Sequence, residues 1–502
     1  MIKIFFLSAI LYLVFRWDFE YERDHEKTGF LSHTCFSIFC GLSSVAFAIR
    51  VYENVFFHDI LIHVGLFLIL IPDFILQKLF EKNISLTFKI ENESKKTSNK
   101  LIFLLVLSIL IPEFSILFAV TSWKNKQKVK NYAPTDFSDT DQKLHSTLQI
   151  VWTASLFFWF LVPEIVTFIM TICLGISAAY YTKAGVDKIK HDWAFRNRLL
   201  YLKKAAEHQL HWSLIPDSVV RKIQHFSPLV LVIEISSCLY LSTLNDLLII
   251  QVGLVSLLGF HLMVLASSGI NFWKWMLSIA SILCLSVTSE KYAIVEYHFY
   301  LYAIVFLYFF FVSKRTPTLA WLDSPISNFY KIEIQKKKEQ PWEMINPYHF
   351  APYDVCFSQN RFGFFPFQSK NLVGCLGAIR DNGMYDVLRD ISENIDDENI
   401  AKSSAKQAIA QWGRSSIDEK RTLEIINWII NVKKNQDQRN KLIAVSSNMF
   451  SHIRNGYKNT VKENSIEEFE RIKITHTKEF WSESLKRKIV LEEDSIVLEN
   501  NV

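Results

Sequence analysis

The apolar residues of this chain come in long blocks, and that constrains its fold more than any other feature. Run after run approaches the roughly 20 residues that a helix needs to cross a ~30 Å hydrocarbon layer. The segments are residues 2–15, 30–50, 55–80, 101–123, 149–181, 226–245, 247–269, 272–289 and 293–313. They predict an all-α integral membrane protein, a polytopic helical bundle of about nine spans, followed by a mainly helical soluble C-terminal region. Composition agrees, since 50% of the 502 residues are hydrophobic and 14% aromatic.

Beyond Lys314 no run is long and apolar enough to span. The expected organisation is a membrane domain at 1–313, an aromatic, Pro-punctuated membrane-proximal segment at 314–380, and a soluble helical tail at 381–502. A net charge of +5 is small for this length and implies no nucleic-acid partner; membrane lipids are the first partners expected. The seven cysteines, Cys35, Cys40, Cys173, Cys238, Cys284, Cys356 and Cys375, include no CxxC and are odd in number. They signal neither a zinc site nor a disulfide framework. "IKIFFLSAILYLVF" at the start lacks a following small-residue cleavage site and reads as a retained span or anchor.

Three spans carry Pro beside an acid, "LIPDF" at 70, "LIPEF" at 110 and "LVPEI" at 161, and "LIPDS" recurs at 214. Each pair marks a kink, a re-entrant turn or a membrane edge, because Pro frees a carbonyl and the acid is costly in hydrocarbon. Segment 182–224 holds nine Lys or Arg against four acids, and loops 78–100 and 124–143 are Lys-rich. The positive-inside rule puts these in the cytoplasm, and four intervening spans bring the tail to the same side. The expected location is the plasma (inner) membrane with a cytoplasmic tail. In that tail, "INPYHFAPYDVCFSQNRFGFFPF" suits an interface, while "IDEKRTLEIINWIINVKK" and "SIEEFERI" predict amphipathic helices.

"YYTKAGVDKIKHDW", residues 180–193, is the most chemically loaded segment. As a helix it sets Thr182, Val186, Ile189 and Trp193 on one stripe, with Lys183–Asp187 and Lys188–Asp192 as i,i+4 ion pairs. A charged interfacial helix anchored by Trp193 accounts for that spacing. A second reading uses desolvation: an ammonium at the edge of an apolar cavity is destabilised, which frees a neutral amine to act as a base.

This segment resembles the signature of the HTTM superfamily, the membrane domain of vitamin K-dependent gamma-carboxylases. The order is an aromatic pair, Ala-Gly, an apolar residue, a Lys, an apolar residue and a Trp a few positions on. "LVLVIEISSCLYL" with Glu234 and "LLGFHLMVLASSGINFWKWM" with His261 resemble the family's helices bearing an acid and a His. The resemblance covers residues 171–276. It departs from the family in lacking a Gly soon after Trp193 and in a tail that reads as helical where the carboxylases have a strand-rich domain. It implies that Lys188 is a base that deprotonates a reduced vitamin K (a naphthoquinol). Oxygen addition then makes a strongly basic alkoxide, which removes a glutamate gamma proton so that carbon dioxide adds. The implied catalytic set is Lys188, His261 and Glu234, with Tyr181 and Trp193 at the cofactor; the partners are a lipophilic quinol and a glutamate-containing peptide. No metal is expected.

Read from the residues alone, Glu234 and His261 in apolar runs face either a partner side chain or a cavity. Glu296 and His298, spaced i,i+2, point to different faces and make a poor metal pair. No GxGxxG, P-loop or HExxH occurs. Two other classes fit the same pattern: a transporter or channel with Pro-broken helices around a path lined by Glu164, Glu234 or His261, and a membrane-anchored interaction protein whose tail recruits a partner.

Overall fold

The computed structural model describes residues 61, 63–72, 91–111, 114–115, 117–119, 121–122, 145, 148–149, 151–152, 165–205, 216–243, 246–268, 273–289, 298–312, 322–344, 372–373, 378–410 and 470–499. The helices are α1 (Glu91–Leu110), α2 (Ile165–Lys190), α3 (Trp193–Arg196), α4 (Leu199–Ala205), α5 (Asp217–Ile223), α6 (Ser227–Tyr240), α7 (Leu247–Ser268), α8 (Trp273–Ser289) and α9 (His298–Leu307). Strands β1 (Leu322–Asp323), β2 (Ile326–Gln335), β3 (Glu343–Met344), β4 (Leu372–Val373) and β5 (Ala378–Ile379) precede α10 (Asn382–Asn394) and α11 (Glu398–Ala410). Strands β6 (Arg471–Ser482) and β7 (Arg487–Glu499) close the sequence.

Three stretches are long and apolar enough to cross a membrane: Thr167–Lys190, Asp217–Tyr240 and Leu247–Val264. Shorter apolar helices at Asn99–Leu110, Lys274–Val287 and Phe299–Val312 fall where further spans were expected. Expected segments 2–15 and 30–50 lie outside the described residues, as do Glu164, Glu296, Cys35, Cys40, Cys356, Cys375 and the predicted helix at 417–434. The described residues are therefore mostly helical, with three span-length apolar helices among them, which is compatible with a membrane protein.

The chain divides into two compact units. The first contains residues 1–186, 232–263 and 272–318. Within it α2 is central, since 89% of its apolar window is buried, whereas the corresponding window of α7 is 33% buried. An all-round apolar helix takes the middle of a bundle, and helices at the rim turn their outer faces to lipid. Val232, Leu239, Val252, Val255 and Leu262 are such exposed side chains. Small residues bring the helices together. A Cβ on Gly185 would lie 2.7 Å from Ile235 Cγ1 and 3.2 Å from the Glu234 Cβ, so α2 and α6 touch backbone to side chain there. One turn away the Thr182 and Ser237 hydroxyls are 3.2 Å apart. This is the small-residue, hydroxyl-bonded crossing that membrane helices use in place of a hydrophobic driving force.

The second unit contains residues 187–231, 264–271 and 319–502. Its four-stranded sheet has the order β3-β2-β6-β7 and is antiparallel throughout. A three-stranded sheet, β1-β5-β4, is formed by two-residue strands. Helix α10 starts at Asp381, whose carboxylate accepts from the Met384 N–H at 2.8 Å. It buries Tyr385, Leu388 and Ile391, while α11 buries Ala401, Ala405, Ala408 and Ile409. These side chains form one core with Tyr201, Leu322, Ile326, Phe480, Trp481 and Ile489.

The helical reading of the tail is corrected here. Arg471 and Ile472, the end of the predicted "SIEEFERI" helix, are the first residues of β6. Ile472, Ile474 and Phe480 are fully buried and share a strand with the β-branched Thr475 and Thr477, which is strand rather than helix chemistry.

Residues 187–231 are bound into this same unit. Arg196 pairs with Asp386, Arg198 Nε reaches Glu393 at 3.3 Å, and the Tyr385 hydroxyl donates to the Arg196 carbonyl at 2.8 Å. The basic loop and the described part of the tail thus fold together in one unit.

Candidate functional site

Helix α2 places Tyr180 and Tyr181 on the inner wall of the first unit, 1% and 2% exposed. Helix α7 brings His261 to the second of them. The Tyr181 hydroxyl and His261 Nε2 share a hydrogen bond of 2.6 Å. Trp275 of α8 covers the pair, its ring centroid 5.2 Å from Tyr181 and 5.5 Å from His261. Tyr180 meets the same indole edge-on at 5.9 Å and 84°. The Phe260 ring lies 5.2 Å from His261. A phenol–imidazole hydrogen bond held among three further rings is electrostatically stronger than in water and is shielded from solvent.

Glu234, on α6 and 2% exposed, stands at the Gly185 crossing of α2. Tyr181, His261 and Glu234 therefore belong to the first unit. Lys188 and Trp193 belong to the second, where the Lys188 ammonium lies 5.2 Å from the Trp193 ring centroid.

The segment 180–193 is not one helix. Helix α2 ends at Lys190, Asp192 takes a left-handed φ of 50°, and α3 begins at Trp193. Two ion pairs besides the expected ones are present here. The Asp187 carboxylate takes Lys190 at 2.9 Å and that of Asp192 takes Arg196 at 3.2 Å. Lys188, by contrast, stacks on an aromatic face, which holds its charged end by cation–π attraction.

Sequence reasoning passed over a polar cluster on α8. Lys274 is completely buried, as are His145 and Ser278. The Ser278 hydroxyl donates to the Lys274 carbonyl at 2.9 Å and lies 2.9 Å from His145 Nδ1. The signal was present in "NFWKWM", a Lys leading an apolar helix, but it reads equally as an interfacial run.

In the second unit burial, the largest cause, pushes the Tyr201 phenol well above its ordinary value. A Ser392 hydrogen bond opposes this, and the Glu393 carboxylate adds to it. Tyr385 is raised likewise, first by burial and then by its acidic neighbours. Neither phenol ionises at neutral pH, so both serve as hydrogen-bond donors. Among the described residues, no three His, Cys, Asp or Glu side chains gather as metal ligands.

Comparison of the chain with protein-family models, curated proteins and solved structures finds no match.

Proposed function

We propose that the chain is a membrane-embedded enzyme that performs acid–base chemistry on a lipophilic quinol, and that it carboxylates glutamate side chains as the HTTM resemblance implies. The observation that carries this reading is the buried 2.6 Å hydrogen bond between Tyr181 and His261 beneath Trp275.

The residues there fit a planar, weakly acidic aromatic ligand. Trp275, Tyr180 and Phe260 offer ring faces, and the imidazole of His261 accepts or returns a proton at a hydroxyl. A bound naphthoquinol would supply the reducing power and, with oxygen, the strong base that glutamate carboxylation needs. Tyr181 holds the His261 ring in one orientation. The surrounding rings keep water from a site in which a strong base must survive. Lys188 keeps the role of base that the resemblance gives it, and Trp193 fixes where its ammonium rests. Glu234 keeps the acid position that the resemblance gives it, at the α2–α6 crossing.

Photolabelling of the full chain in liposomes with an azido-naphthoquinone tests this reading. Adducts are expected on peptides holding Tyr180, Tyr181, His261 or Trp275, and competition by reduced vitamin K should remove them. Labelling spread over the lipid-facing residues of α6 and α7, unchanged by the competitor, would overturn it.

A further inference from the structure

We propose that the groove between α6 and α7 holds the isoprenoid tail of the quinol, an inference that rests on the quinol reading above and extends it. The groove lies within the first unit and has a volume of about 360 Å³. Ile233, Ser236 and Tyr240 of α6 line one side, and Ile249, Gly253 and Ser256 of α7 line the other. Gly253 gives the groove its shape. A Cβ there would stand 2.4 Å from Tyr240 Cδ2, so the Tyr240 ring packs on the bare backbone of α7.

The lining decides the chemistry of the ligand. Its three hydroxyls are bound to their own helices: Ser236 donates to the Val232 carbonyl at 2.5 Å, Ser256 to the Val252 carbonyl at 2.8 Å and Tyr240 to the Ile233 carbonyl at 3.3 Å. With the hydroxyl protons used in this way, the groove recognises hydrocarbon and not a polar headgroup.

Position selects which hydrocarbon. On α7 the lining positions 249, 253 and 256 follow helical spacings of four and three, and Phe260 is the next residue on that face. Phe260 is buried, and its ring lies 5.2 Å from that of His261, the partner of Tyr181. One face of α7 therefore runs from the groove to the ring that borders the proposed quinol site. A prenylated naphthoquinol carries its tail on the ring carbon next to a hydroxyl-bearing one. With that hydroxyl at His261, the tail passes Phe260 and enters the groove. A phospholipid acyl chain has the same polarity and is the competing occupant that the test separates.

The test uses the full chain in phosphatidylcholine nanodiscs and measures competition for the azido-naphthoquinone label. The competitors are two reduced naphthoquinones, one with a four-isoprene tail and one without a tail. In the wild type the tail should lower the competing concentration at least roughly tenfold, because a second contact linked to the first adds to its affinity. Ile249→Trp and Ser256→Phe fill the groove from two exposed positions. Each should bring the two competitors within about twofold of one another and leave the tail-less one unchanged. Val255→Phe adds bulk to α7 at an exposed residue outside the groove and should keep the difference. Partition into the nanodisc is common to all variants, so the comparison reads the groove itself. Equal competition in the wild type, or a tail advantage that survives both filled variants, would overturn the inference and leave the quinol reading standing. Labelling of residues 249–256 by a photoreactive phosphatidylcholine acyl chain that the tailed quinol does not displace would overturn it too. Competition by neither ligand would remove the quinol reading and the inference together.

Discussion

Asn197 and Asp323 hold each other by two hydrogen bonds across 126 residues of sequence. The Asn197 amide donates to the Asp323 carboxylate at 3.0 Å, and the Asp323 backbone N–H donates to the Asn197 side-chain oxygen at 2.7 Å. Both residues are buried. Asn197→Ala leaves a buried N–H and a buried carboxylate oxygen short of a partner. It should destabilise the second unit by about 1–3 kcal/mol, read as a lower denaturant midpoint for Trp481 burial. Asn197→Asp should do no better, since it sets two carboxylates face to face.

The same pairing makes a topological prediction. Ser218 in the basic segment and Ser495 on β7 are both exposed. With the native cysteines replaced, Ser218→Cys and Ser495→Cys should react with a membrane-impermeant maleimide from the same side of sealed vesicles. Opposite-side labelling would break the second unit apart.

Gly185 sets the distance between α2 and α6. A branched side chain there must displace Ile235 and the base of Glu234, since even a bare Cβ would sit 2.7 Å from Ile235 Cγ1. Gly185→Val should cost about 1–3 kcal/mol through overpacking. It would show as faster thermal inactivation in detergent, with Gly185→Ala intermediate.

Much of the membrane half was legible because lipid leaves a helix few choices. The apolar block at 247–269 became α7 almost residue for residue, and α6 occupies 227–240 of the block at 226–245. The tail was less so. "RIKITHTKEFWS" carries Ile472, Ile474, Thr475 and Thr477, a strand signal, but charged residues interleave and the acidic run before it mimics a helix start. The Tyr181–His261 bond joins residues 80 apart, and no local period reports such a contact. A continuous helix would set Lys188 on the side opposite Trp193, yet the two lie together, and the left-handed turn at Asp192 between them has no Gly or Asn to announce it.

Glu483 makes stability of the second unit depend on pH. Burial alone would raise its carboxyl, but hydrogen bonds from Arg221, Lys486 and the Trp481 indole outweigh it and hold the group below its ordinary 4.5. A carboxyl depressed by folding contributes stability above its unfolded value and loses it as pH falls through the folded one. Wild type should therefore exceed Glu483→Gln in unfolding midpoint at pH 7, and the gap should close progressively below about pH 4.5. A gap independent of pH would mean that the carboxylate charge plays no part.

The central claim is the proposed quinol-linked carboxylation, with His261 of the first unit as its acid–base group and Lys188 of the second as the base that the resemblance implies. Membranes carrying the full chain are incubated with reduced vitamin K, a glutamate peptide and labelled bicarbonate. Three variants, His261→Ala, Lys188→Ala and Lys222→Gln, are measured beside the wild type. The account predicts incorporation in the wild type and in Lys222→Gln, and a loss of about 100-fold or more in His261→Ala and Lys188→Ala, the scale of a missing acid–base group. Incorporation absent from the folded wild type, or undiminished in both alanine variants, would contradict it.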